Sequence, residues 1–169
     1  MSDAEPMIVL ENVYKIFGPN PRGRAFDLCS SGVGKDEVQR QTGHVVGMRD
    51  ISFDVRRGEI FVVMGLSGSG KSTAIRTVNK LHAVTHGRVL VDGVDVQQLR
   101  GANLQSFRRE KTAMVFQHFA LFPHRNVIDN TAYGLKVQGV DKKERHEAAI
   151  EALAMVGLEA YAFNATRQL

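Results

Sequence analysis

Residues 65 to 73 read GLSGSGKST and satisfy the pattern GxxxxGK[ST] through Gly65, Gly70, Lys71 and Ser72. Glycines at these positions let the backbone fold closely around an anion, so that consecutive N–H groups point inward at phosphate oxygens. A helix opening at the end of such a loop adds the positive end of its dipole. The candidate nucleotide-binding set is therefore Gly65, Leu66, Ser67, Gly68, Ser69, Gly70, Lys71, Ser72 and Thr73. Lys71 is expected to reach the β- and γ-phosphates as a mobile point charge, which makes it a candidate catalytic residue. Ser72 is expected to give one oxygen to Mg²⁺, a cation that takes few protein ligands and keeps several waters. A glycine-rich turn that matches by accident is the bland alternative, and the elements on either side decide against it.

Those elements follow the order strand, loop, helix. Ile60 to Met64 (IFVVM) is continuously apolar and rich in β-formers, which predicts a strand buried on both faces of a parallel sheet. After the loop, Ala74, Ile75, Val78 and Leu81 recur at helical spacing, with Gly87 as the expected stop. Ile8 to Val13 and the alternating Ile51, Phe53 and Val55 predict two half-buried strands of one antiparallel sheet. Between them, residues 18 to 47 hold Pro19, Pro21 and six glycines, and read as a weakly structured insertion with a short helix at Lys35 to Gln41. Asp92 and Gly93 between two short alternating runs predict a hairpin over Arg88 to Val96. A basic-ended helix over Leu99 to Lys111 and a strand over Thr112 to Phe116 are expected next. From Asp141 a capping-box spacing to Glu144 opens a helix with apolar Ala148, Ala149, Ala152, Leu153 and Val156, closed by Gly157.

The chain has 169 residues, 43% apolar and 24% charged, which suits one folded domain and excludes a disordered segment or a disulfide-stapled miniprotein. Its longest strong apolar run, Ile60 to Met64, is far shorter than the ~18 residues a membrane span needs. An acidic opening (MSDAEP) and a single cysteine, Cys29, predict a cytosolic protein. The net charge of +4 is scattered, and the densest charged stretch, Asp141 to Glu147, carries both signs. That is a solvated helix face, and no nucleic-acid partner is expected. The histidines at 44, 82, 86, 118, 124 and 146 show no zinc spacing.

A phosphate loop alone serves kinases, GTPases and several ATPase families. The segment MVFQHFALFPH, residues 114 to 124, resembles the Q-loop of ABC-transporter ATPases, in which a strand ends in a glutamine near the γ-phosphate. Gln117 offers a carbonyl oxygen for Mg²⁺ or its waters and an NH₂ group for a phosphate or a water, which makes it a candidate catalytic residue beside Lys71. Read without that context, it is a strand-end glutamine bonded to backbone. The run Phe119, Ala120, Leu121, Phe122, flanked by His118 and His124, is either ordinary core or an interaction patch.

The resemblance narrows further. YKIFG (14 to 18), the insertion at 19 to 47, GEIFVVMGLSGSGKST (58 to 73), VDGVDV (91 to 96) and MVFQHFALFPHRNVIDNTAYGL (114 to 135) together look like the ATP-binding subunit of glycine betaine/L-proline uptake transporters. The resemblance implies an α/β P-loop NTPase of the ABC ATPase type, with an N-terminal antiparallel β subdomain, part of a helical subdomain and a parallel sheet incomplete in this chain. Residues 1–169 then form the N-terminal part of one nucleotide-binding domain: an insertion at 18–47, a P-loop to Q-loop core at 58–117, and the start of the helical subdomain at 118–169. It also implies ATP and Mg²⁺ as cofactors, with Ser72 and Gln117 toward the metal. Phe17 falls where the family places the aromatic that stacks on adenine, and Tyr14 competes for that role. The implied partners are an integral-membrane permease subunit, a second nucleotide-binding subunit and, indirectly, a substrate-binding protein. The implied location is the inner face of the cell membrane.

The family pattern continues beyond Leu169 with a signature motif, a Walker B aspartate, a catalytic glutamate and a switch histidine. A chain with P-loop and Q-loop alone is expected to bind nucleotide without turning it over. A non-catalytic nucleotide-binding fragment and a P-loop kinase of a small metabolite are the competing readings.

Overall fold

The structure is a computed structural model that describes residues 5–117 and 120–168. His118, Phe119 and Leu169 lie outside the described residues. The chain divides into two compact units, Met1–Gln105 and Ser106–Leu169.

In the first unit, β-branched and aromatic residues extend both predicted antiparallel strands well past their apolar cores. β1 (Ile8–Phe17) pairs antiparallel with β2 (Val45–Val55). The ladder slips at three places. At the first two slips, Asn12 and Asp50 adopt positive φ, a conformation that short polar side chains tolerate. They hold one another there: Asn12 Nδ2 donates to Asp50 Oδ1 at 3.0 Å, and Asn12 N–H donates to Ser52 Oγ at 2.9 Å. The third slip leaves Gly47 as an extra residue between the pairs Lys15–Met48 and Ile16–Val46, a β-bulge.

On its other edge β1 pairs with β3 (His86–Val91), which turns through Asp92 and Gly93 into β4 (Val94–Asp95). Both turn residues have positive φ, 52° and 74°, as the predicted two-residue hairpin demands. The sheet order is β2-β1-β3-β4.

Residues 18 to 47 are more ordered than their composition predicts. They form α1 (Arg24–Ser30) and α2 (Lys35–Thr42), which lay Ala25, Cys29 and Val38 against Ile16, with Tyr14, Phe26 and Val33 around them. Glycines cap these helices and do not disorder them: α2 ends at Gly43 in the left-handed conformation.

Two further expectations fail. Ile60 to Met64 pairs with no strand among the described residues, and Ile60 and Met64 are 90% and 84% exposed. Thr112 to Phe116 likewise forms no strand, with Val115 97% exposed. Both runs have the composition of buried parallel strands, but a parallel strand exists only through its neighbours. Here neither run has one, so its propensity has nothing to pair with. Phe61 stacks on Phe53 of β2 at 4.8 Å.

α3 (Lys71–Val78) follows the loop and ends well before the predicted stop at Gly87, because Asn79 and Lys80 turn the chain, Lys80 with φ 53°. Lys80 then ties the helix end to the sheet, donating to the carbonyls of Gln97 and Leu99 at 2.8 and 2.6 Å. Thr77 is fully buried, and its carbonyl accepts from Gln97 Nε2 at 3.3 Å.

α4 (Gly101–Glu110) carries the division between the units within it. The second unit is helical: α5 (Val127–Thr131), α6 (Tyr133–Val137) and α7 (Lys142–Met155). Its core joins Val127, Ile128 and Ala132 to Ala149, Leu153 and Ala162. Asp141 caps α7 as the spacing predicts, accepting from Lys143 N–H at 2.8 Å, and Gly157 follows its end with positive φ. Asn130 holds the stretch before α5. Its side chain accepts from Phe122 N–H and donates to the carbonyls of Phe122, Arg125 and Asn126. Arg125 lies over both the Phe122 and Tyr133 rings at 4.7 Å. In the apolar run singled out in the sequence, Phe122 is therefore packed, whereas Ala120 and Leu121 are exposed.

Candidate functional site

The loop Gly65 to Gly70 sits directly before α3, with Gly70 as N-cap at φ 95°. Gly70 has no side chain to spend on the first turn, so the N–H groups of Lys71, Ser72 and Thr73 stay available to an anion, as in any uncapped helix start. A Cβ at Gly70 would meet the Gly47 carbonyl oxygen at 2.3 Å. The glycine is thus required twice, by its left-handed φ and by the closeness of β2.

Lys71 reaches back across the loop. Its Nζ donates to the carbonyls of Gly65 and Leu66 at 2.8 and 2.7 Å and approaches Ser69 Oγ at 3.4 Å. The ammonium is therefore positioned over the loop rim, held by neutral acceptors that an anion can outcompete, because an anion adds the attraction of a full opposite charge that a carbonyl lacks. Ser72 is exposed in the first turn of α3. Behind the loop, a pocket of about 390 Å³ is lined by Met48, Ile51, Phe53, Phe61 and Ala74.

Phe17 joins this site through the Gly47 bulge. A Cβ on Gly47 would lie 2.6 Å from Phe17 Cε2, so the ring rests on the glycine backbone whose carbonyl faces Gly70. Phe17, Gly47 and Gly70 are consecutive neighbours from the end of β1 to the start of α3. The ring is half-buried and meets His82 edge to face at 5.3 Å. Tyr14 is committed elsewhere, packing edge-on against Phe26 of α1 at 5.3 Å and against His86 at 6.0 Å.

The surroundings are cationic. Burial lowers the pKa of His82, and the charges of Lys15 and Arg76 lower it further. Burial also lowers that of Lys15, whose Nζ stands 4.8 Å from the Phe17 ring centre. Lys15, Gly47 and His82 did not stand out in the sequence. Gly47 carried a signal, since an isolated glycine in a strand marks a bulge or a close backbone approach. The strand predicted there began too late to include it.

Gln117 is exposed in the second unit, at the end of the run 112 to 117, which forms no strand. Its assignment therefore rests on its place in the sequence. Among the described residues, no group of three or more His, Cys, Asp or Glu side chains is placed to hold a metal ion. No described helix is long and apolar enough to cross a membrane.

Known proteins resemble both sequence and fold. The model of the ABC transporter family matches residues 48–169. The glycine betaine/proline betaine transport system ATP-binding protein ProV of Escherichia coli (strain K12) is 50% identical over 153 residues, covering 90% of this chain and 38% of that protein. The glycine betaine transport ATP-binding protein OpuAA of Bacillus subtilis (strain 168) is 47% identical over 160 residues, 94% of this chain and 38% of that protein. Among solved structures, the dimeric post-hydrolysis state of the ATP-binding cassette MJ0796 bound to ADP and Pi matches with a TM-score of 0.77. It shares 27% identity and covers 96% of this chain and 63% of that one. The chain thus spans 38% of the length of these curated relatives.

Proposed function

The chain belongs to the ABC transporter family, and from that premise we propose that it is the nucleotide-binding part of an ATP-driven importer subunit for betaine- or proline-type osmoprotectants. The observation that carries the reading is Lys71 spanning the rim of a glycine loop whose following helix leaves its first N–H donors unspent. That arrangement fits a polyphosphate. The loop N–H groups and the helix end bind its oxygens, while Lys71 exchanges neutral carbonyl partners for charged ones. Phe17, joined to the loop through Gly47, offers the adenine a stacking surface.

Ser72 fits Mg²⁺. It is one accessible hard oxygen beside the phosphate loop, and this cation takes one or two protein oxygens together with phosphate oxygens and water. When bound, the metal neutralises phosphate charge. Gln117 supplies a second oxygen in the same reading. The segments at 18–47, 58–117 and 118–169 then act as insertion, P-loop to Q-loop core and start of the helical subdomain.

In the whole protein, this domain acts with a second nucleotide-binding subunit on a membrane permease at the inner face of the membrane, indirectly served by a substrate-binding protein. The names of the relatives support the substrate class. None of the residues assigned to the site is a carboxylate that could activate the attacking water, which favours a chain that binds Mg-ATP but does not turn it over alone. A metabolite kinase has no observation in its favour.

Titration with mant-ATP tests the reading. Lys71→Ala is expected to abolish detectable binding, since it removes the charge opposite the β- and γ-phosphates and leaves every loop glycine in place. Equal affinity in the two proteins overturns the phosphate-loop assignment.

A further inference from the structure

The proposed adenine platform carries a cation that no motif assigns. Lys15 and Phe17 are alternate residues of β1 and therefore project from the same face. The Lys15 ammonium stands over the Phe17 ring, 4.8 Å from its centre. His82 meets the ring at an interplanar angle of 85°, and the Gly47 backbone lies against Cδ2 and Cε2. The ring is thus held in place by two neighbours while a third lies over its π-face.

We propose that Lys15 sets nucleotide affinity by occupying the ring face on which a purine would stack, so that the base binds only by displacing the ammonium. This rests on the reading of Phe17 as the adenine platform. The physical basis is competition for one surface. The negative face of the ring attracts the cation, and the same face is what a base stacks on. Lys15 is suited to leave, because it is half-buried and its charge regains water when the chain swings out. A cation–π contact at a partly exposed site corresponds to about a two- to fivefold effect on binding. Lys15 therefore tunes affinity and does not create it.

Calorimetric titration of the chain with ATP and with inorganic tripolyphosphate separates base from phosphate. Lys15→Met, which keeps the stem and removes the charge, is expected to tighten ATP by about two- to fivefold and leave tripolyphosphate unchanged. Lys15→Arg, which holds the ring face more strongly, is expected to weaken ATP and spare tripolyphosphate. In a Phe17→Ala background Lys15→Met should have no effect on ATP, since nothing remains to compete for. Unchanged or weaker ATP binding by Lys15→Met overturns the proposal, as does weaker tripolyphosphate binding, which would make Lys15 a phosphate ligand. Failure of the underlying reading looks different: Phe17→Ala would then bind ATP as the parent chain does.

Discussion

Tyr14 and Phe17 lie on one strand and are chemically alike, yet their surroundings give them different work. Tyr14 packs against Phe26 and His86, anchoring the insertion helices to the sheet, while Phe17 rests on Gly47 beside the phosphate loop. Phe17→Ala should therefore cost about 1–3 kcal/mol of ATP affinity, the range of base–aromatic stacking. Tyr14→Ala should leave affinity unchanged and lower the stability of the first unit by roughly 2–3 kcal/mol, as truncation of a half-buried aromatic does. Titration and denaturant melts on both variants check this. Loss of affinity in the Tyr14 variant, with none in the Phe17 variant, would move the adenine platform to Tyr14.

At the scale of elements, the bulge in β2 does what neither strand nor loop does alone. It places the Gly47 carbonyl against Gly70 and the Gly47 Cα under the Phe17 ring. Gly47→Ala adds a methyl 2.6 Å from Phe17 Cε2, so the ring must move. ATP affinity should fall about as far as in Phe17→Ala, roughly 1–3 kcal/mol, while tripolyphosphate binding holds. Equal losses for both ligands would mean that the bulge shapes the loop and not the ring. In the second unit, Asn130 bonds to three residues of the stretch before α5 and N-terminal to it. Asn130→Ala leaves buried backbone groups short of partners, at about 1–3 kcal/mol for each one that water cannot reach. Hydrogen exchange should show lost protection at Phe122 and through α5. Unchanged exchange there would show that Arg125, stacked on Phe122 and Tyr133, holds the segment by itself.

At the scale of the molecule, the decisive feature is the run Ile60 to Met64. It leads directly into the phosphate loop, yet its backbone has no sheet partner among the described residues and Ile60, Val62 and Met64 are exposed. Such a strand is a template for pairing with another chain. The chain of residues 1 to 169 should therefore self-associate in solution, and, since no carboxylate is among its assigned site residues, it should release no phosphate from ATP above a Lys71→Ala control. Light scattering and a phosphate-release assay check the two halves separately. A stable monomer would refute the strand argument, and Lys71-dependent hydrolysis would reveal a catalytic group outside the residues assigned above.

What the sequence determined by itself was everything whose cause is local. The glycine loop, the lysine at its end, the Asp92–Gly93 turn and the Asp141 cap all follow from φ preferences and hydrogen bonds within a few residues, and the structure shows each in place. The pairing of β1 with β2 was also readable, because the β-formers of Ile8 to Val13 and the alternation of Ile51, Phe53 and Val55 each identify a half-buried strand. Tertiary structure alone decided which aromatic meets the loop, since that depends on a bulge opposite Lys15 and Ile16. It also decided that residues 18 to 47 are ordered, because Val38 and Cys29 gain a core only when Ile16 faces them. The same dependence explains Ile60 to Met64 and Thr112 to Phe116. A parallel strand makes no hydrogen bonds within itself, so β propensity states a requirement that only neighbouring strands can satisfy.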